Sequence, residues 1–150
     1  MNTRIAEAIA LIAQVPGYAA VAQDLARRPL RYVPTLLDRG QASLTGTILL
    51  GPEALEGGQV GLAETLVHEH YHTQQNPFAK TPSFWIGVFT RTPVMARYER
   101  AAYQAAVIFL ETLAEALPEY AREARGEAET VRLSYELLYR LPLWQRGGVG

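Results

Sequence analysis

Cysteine is absent from this chain, and lysine occurs once, at Lys80. Without thiols there is no disulfide, no cysteine nucleophile, no iron–sulfur cluster and no thiolate metal site. A metal ion would have to be held by His, Asp or Glu. Long apolar runs are also missing. A clean run such as Ala105 to Leu110 is far short of the ~20 residues that span a bilayer. Nor is there an excess of one charge: 14 basic residues face 15 acidic ones, for a net charge of −1. No basic block tracks along the chain, so neither a nucleic acid nor a membrane surface is the expected partner. The N-terminus starts like a leader, with Arg4 before apolar residues, but Glu7 interrupts it and the spacing is that of an amphipathic helix. The expected location is the cytoplasm. A chain of 150 residues, 49% hydrophobic, suits one domain, 1–150, with a single core.

The hydrophobic pattern gives an α+β layout. Ile5, Ala8, Ile9 and Ile12 recur at helical spacing up to the stop at Pro16-Gly17. A second helix is predicted over Ala19 to Arg27. Pro29 and Pro34 bracket a short edge strand at 30–33, and Asp38-Arg39-Gly40 reads as a turn. Ser43 to Leu50 alternates polar and apolar residues, as in a half-buried strand with one wet face. Leu62 to Gln75 is rich in helix formers. A proline-containing connector, 77–93, follows, with an apolar cluster at 84–89 that could wall a substrate pocket or join the core. Thr92-Pro93 starts a long helix to Leu117. A last helix covers Glu119 to Leu141, and 147–150 is a frayed tail.

All three histidines fall within His68-Glu69-His70-Tyr71-His72. On a helix, His72 lies about 40° from His68, Glu69 about 100° and His70 about 200°. Two imidazoles one turn apart can then grip one metal ion, with Glu69 beside them to take a proton from its bound water. On a strand, all three histidines would face one way as His-x-His-x-His. The helix-rich composition of 62–75 favours the first arrangement.

Tetrahedral zinc needs a third protein ligand. With no further histidine and no cysteine, that ligand is a carboxylate. Glu99 shares its helical stripe with Met95, Ala102, Ala106, Phe109 and Leu113, so it is aimed inward, whereas Glu111 and Glu115 lie on a solvated face. A core-facing carboxylate requires a metal or a cation such as Arg97 or Arg100. Tyr103, one turn after Glu99, is a candidate oxyanion donor or a core-edge tyrosine. Tyr71, Tyr98 and Arg97 are weaker candidates.

The stretch from Leu66 to Gln75 resembles the His-Glu-x-x-His-x-x-Gln variant of the zincin superfamily, specifically the gluzincins. Glu99-Arg100-Ala101-Ala102-Tyr103 resembles the Glu-x-x-Ala-Tyr pattern of that variant's second helix. The likeness covers roughly 43–110. It implies a zincin-like α+β domain, with a small, mostly antiparallel sheet packed on a helix bundle. It also implies one Zn²⁺ on His68, His72 and Glu99, with Glu69 as general base. The strand Ser43 to Leu50 would be the edge along which a peptide substrate adds. The pattern departs from some gluzincins in having no Asp near Glu99 to orient a histidine ligand, which leaves the partners of His68 and His72 unassigned. The expected activity is that of a zinc metallopeptidase. The alternatives are a silent zinc- and peptide-binding module, a strand-borne three-histidine metal protein, and a metal-free interaction domain.

Overall fold

The structure, a computed structural model, describes residues 2–43, 46–75 and 93–144. Helix α1 (Thr3–Gln14) is capped by Asn2, whose side chain accepts the Arg4 N–H at 2.8 Å. It buries Ile5, Ala8, Ile9 and Ile12, as the spacing predicts. Helix α2 (Ala19–Arg27) turns back against it. Three short strands follow: β1 (Leu30–Tyr32), β2 (Gly40–Ala42) and β3 (Ile48–Leu50). After a short α3 (Pro52–Glu56), α4 (Gln59–Gln74) runs through the middle of the molecule. Helices α5 (Pro93–Ala116) and α6 (Ala121–Tyr139) pack on each other, joined by a single 3₁₀ turn, Pro118–Tyr120. Among the described residues, no helix is long and apolar enough to cross a membrane.

Helix α4 has no polar face over most of its length. Val60, Leu62, Ala63, Leu66 and Val67 are all buried, and so are Glu64, Thr65, Glu69 and His72. It touches α1, α2, α3, α5, α6, β2 and β3. That central position explains why its sequence is neither amphipathic nor alternating.

The sheet differs from expectation in three respects. Its order is β1-β3-β2, with β1 and β3 parallel and β2 and β3 antiparallel, so it is mixed instead of mostly antiparallel. The segment expected as one strand, Ser43 to Leu50, contributes only Ile48–Leu50. The cause is a tight turn. Gly46 sits at a φ of 85°, its N–H bonds the Ser43 carbonyl at 3.1 Å, and the Ser43 hydroxyl accepts the Thr47 N–H at 3.1 Å. Gly40, read as part of a turn, therefore begins a strand of its own. Finally, β3 is the central strand. Ile48 and Leu50 are fully buried, and pairing occupies both sides of β3. It is not the edge strand expected of Ser43 to Leu50.

The outer strands are β1 and β2. The Ile48 N–H and the Leu50 carbonyl bond toward β1, to the Pro29 carbonyl and the Val33 N–H. Their partners across the sheet, Ala42 and Gly40, thus turn their own backbone groups outward. The connector, its apolar cluster at 84–89 and the tail at 147–150 lie outside the described residues.

Candidate metal centre

Helix α4 presents His68 and His72 on one face, one turn apart, with ring centroids 4.9 Å apart. Glu99 comes from the first part of α5. Its inward aim follows from the stripe it shares with Ala102, Ala106, Phe109 and Leu113, all fully buried. The three donor atoms form a small triangle. His72 Nε2 lies 3.0 Å from Glu99 Oε2, His68 Nε2 lies 3.3 Å from the same oxygen, and the two Nε2 atoms are 3.2 Å apart. Donor atoms this close together can share one metal ion, and the group is the candidate metal site among the described residues. Glu99 forms its ion pairs with the histidines and not with Arg97 or Arg100.

Gln75 fixes how His72 is protonated. Its amide nitrogen donates to the Tyr98 carbonyl at 3.0 Å, which leaves its oxygen, 2.5 Å from His72 Nδ1, as an acceptor. His72 therefore carries a proton on Nδ1, which turns its Nε2 toward the Glu99 carboxylate. Two imidazole nitrogens and one carboxylate oxygen converge on one point, where a positive charge is stabilised. Burial pulls the His68 imidazole down, but the Glu99 hydrogen bond and the charges of Glu69, Glu99 and Glu64 outweigh it and lift it to about 9. Burial pushes Glu99 up, but the two imidazoles beside it outweigh burial and hold it at about 2. The donor set fits a divalent cation with imidazole and carboxylate ligands.

Glu69 is buried, and burial raises its pKa against the pull of the two histidines. Its carboxylate accepts the outward Ala42 N–H of β2. Gly40 makes this approach possible, because a Cβ there would come 2.9 Å from Glu69 Cγ and 3.0 Å from Thr65 Cγ2. Beside Glu69 opens a cavity of about 150 Å³, bounded by Arg39, Gly40, Glu64, Tyr103 and Ser134 among others.

Tyr103 sets its ring edge-on to His68, with centroids 4.9 Å apart, and lines this cavity. Tyr98 stacks on His72 at 4.7 Å. His70 faces away from the triangle and bonds Asp24 of α2 at 2.9 Å, which removes the three-histidine strand arrangement. Arg97 is exposed and Tyr71 half-buried. Gln75 stands in the final place of the resembled motif, yet its orienting contact was not foreseen. The signal was an amide three residues after His72, on the same helical face. The approach of Gly40 to Glu69 was not foreseen either. No protein family, curated protein or solved structure compared with this chain matches it.

Proposed function

We propose that this protein is a zinc-dependent metallopeptidase of gluzincin type, with His68, His72 and Glu99 as ligands and Glu69 as general base. The observation that carries this reading is the triangle itself. Zinc with bonds of about 2.0–2.1 Å in a tetrahedron sets neighbouring donors about 3.3 Å apart, and the sides here measure 3.0, 3.2 and 3.3 Å. Bound zinc would act as a Lewis acid, bringing the pKa of water to about 7 and polarising a peptide carbonyl.

The chain's own residues supply the rest. Gln75 holds His72 in the tautomer that ligates. Ala42 N–H holds the Glu69 carboxylate at the mouth of the site, where it takes a proton from the attacking water and delivers it to the leaving amine nitrogen. Burial, which raises the Glu69 pKa, suits a base that must both accept and release a proton near neutrality. The outward backbone groups of Gly40 and the Ala42 carbonyl offer an extended peptide a strand to pair with. Tyr103, edge-on to His68 and lining the cavity, is the phenol assigned to stabilise charge that develops on the carbonyl oxygen.

Zinc stoichiometry and hydrolysis test this reading together. Wild type should hold about one zinc per chain, and Glu99→Ala should lose it. Glu69→Gln should keep the zinc and lose cleavage of an unfolded protein or peptide library by roughly 10²–10⁴-fold. One zinc per chain with no cleavage of any substrate would leave a silent zinc- and peptide-binding module.

A further inference from the structure

The cavity beside Glu69 has two buried carboxylates, Glu64 and Glu69, in its wall. Glu64, one helical turn before His68, lines it with a side chain only 7% exposed. Among the described residues its one ion-pair partner is Arg39, whose Nη1 is 3.6 Å away. That same nitrogen hydrogen-bonds Glu127 at 2.9 Å, so one guanidinium serves two carboxylates. The hydroxyls of Thr65, Thr130 and Ser134 add no donors. Thr65 donates to the Gly61 carbonyl at 3.0 Å, Thr130 to Gly126 at 3.1 Å and Ser134 to Thr130 at 2.7 Å. A hydroxyl has one proton, and each of these is spent within its own helix, which leaves lone pairs free. Burial pushes the Glu64 carboxyl up to about 7 against the charges of His68 and Arg39, the behaviour of an acid short of a cation. The cavity volume, about 150 Å³, is many times the roughly 15 Å³ that a single water requires.

We propose that this cavity receives a cationic group of the peptide substrate, an ammonium or a guanidinium, with Glu64 as its counter-ion. The inference rests on the metallopeptidase reading for the ligand's being a peptide, and it adds the chemistry that the peptide must carry. An entering cation donates to Glu64 and to the hydroxyl lone pairs and relieves the shortage of positive charge around Arg39. An entering carboxylate would face Glu64 and Glu69 together, with the Arg39 Nη1 already on Glu127. Glu64 is thus a specificity-determining residue, held outside the metal triangle.

The test uses the full-length, zinc-loaded Glu69→Gln protein and fluorescent heptapeptides that differ only in one scanned residue: Lys, Arg, Leu or Glu. Each is made with a free and with an acetylated amino terminus. Binding is read by anisotropy, with and without Glu64→Gln. Cationic peptides should bind at least tenfold tighter than the Leu and Glu peptides, and Glu64→Gln should erase that margin with zinc content unchanged. A preference that survives acetylation assigns the cation to the side chain. A preference that follows the free terminus assigns it to the α-ammonium. Equal binding of Leu or Glu peptides, a margin that persists in Glu64→Gln, or no binding by any peptide overturns the proposal. Cleavage by wild type is scored separately. Cationic preference without cleavage keeps this inference and removes the peptidase, whereas cleavage without cationic preference does the reverse.

Discussion

At the scale of single residues, the site depends on contacts that neighbouring groups impose on the ligands. Gln75 ties His72 Nδ1 to the Tyr98 carbonyl, and such orienting partners are worth about 10–100-fold in metal affinity. Gln75→Ala should weaken zinc binding by that factor in a chelator competition, while Gln75→Glu, which keeps an acceptor, should restore most of it. Gly40 is constrained by space. A methyl group there collides with Glu69 and Thr65, so Gly40→Ala should displace the base and cut hydrolysis more than tenfold, with zinc still bound. Glu64 governs a pH dependence whose sign is opposite to that of an ordinary carboxylate. Its folded pKa is about 7 against 4.5 for a free glutamate, so its contribution to stability is full below about pH 4.5 and is lost as pH rises through 7. In zinc-free protein, Glu64→Gln should therefore raise stability at pH 8, by up to about 3 kcal/mol, and leave it little changed at pH 4. Denaturant titrations at the two pH values measure this.

Among the elements, α4 and α5 each bring part of the metal triangle, and α6 fixes where α5 begins. Tyr135, fully buried on α6, donates its hydroxyl to the Ala96 carbonyl at 2.9 Å, one turn before Glu99. Tyr135→Phe removes this second, side-chain donor to the carbonyl and should cost about 0.5–1.5 kcal/mol, together with a measurable loss of zinc affinity. The opposite face of α4 has a structural role. His70 bonds Asp24, which also pairs with Arg28 of the same α2 segment. His70→Ala should leave zinc content at wild-type level, in contrast to His68→Ala. The strands show how local chemistry overrides a pattern. The alternation from Ser43 to Leu50 is real, but Ser43 and Gly46 close a turn inside it, and only Ile48–Leu50 is left as strand.

For the molecule as a whole, stability and metal binding are linked. A centre whose ligands come from two helices exists only when those helices are docked, so the proposed zinc would bind the folded state in preference to the unfolded chain. Free zinc at about 100 times its dissociation constant should add roughly 2.7 kcal/mol, and chelation should lower the melting temperature accordingly. The same architecture explains why α4 carries so many polar residues in a buried helix. It is wrapped by α1, α2, α5 and α6 and by the sheet, and its buried polar groups are those that line the cavity or the metal triangle.

What the sequence determined by itself is local. Helical spacing placed α1 and α2, put His68 and His72 on one face with His70 opposite, and turned Glu99 toward the core, because periodicity of about 3.6 residues and the cost of burying a bare charge act within one segment. Tertiary structure alone decided which strand is central, which strand edge runs beside Glu69, and that a glycine in β2, an amide at the end of α4 and an acid one turn before His68 surround the site. Those relations join residues far apart in the chain through close packing, and no periodicity within a single segment records them.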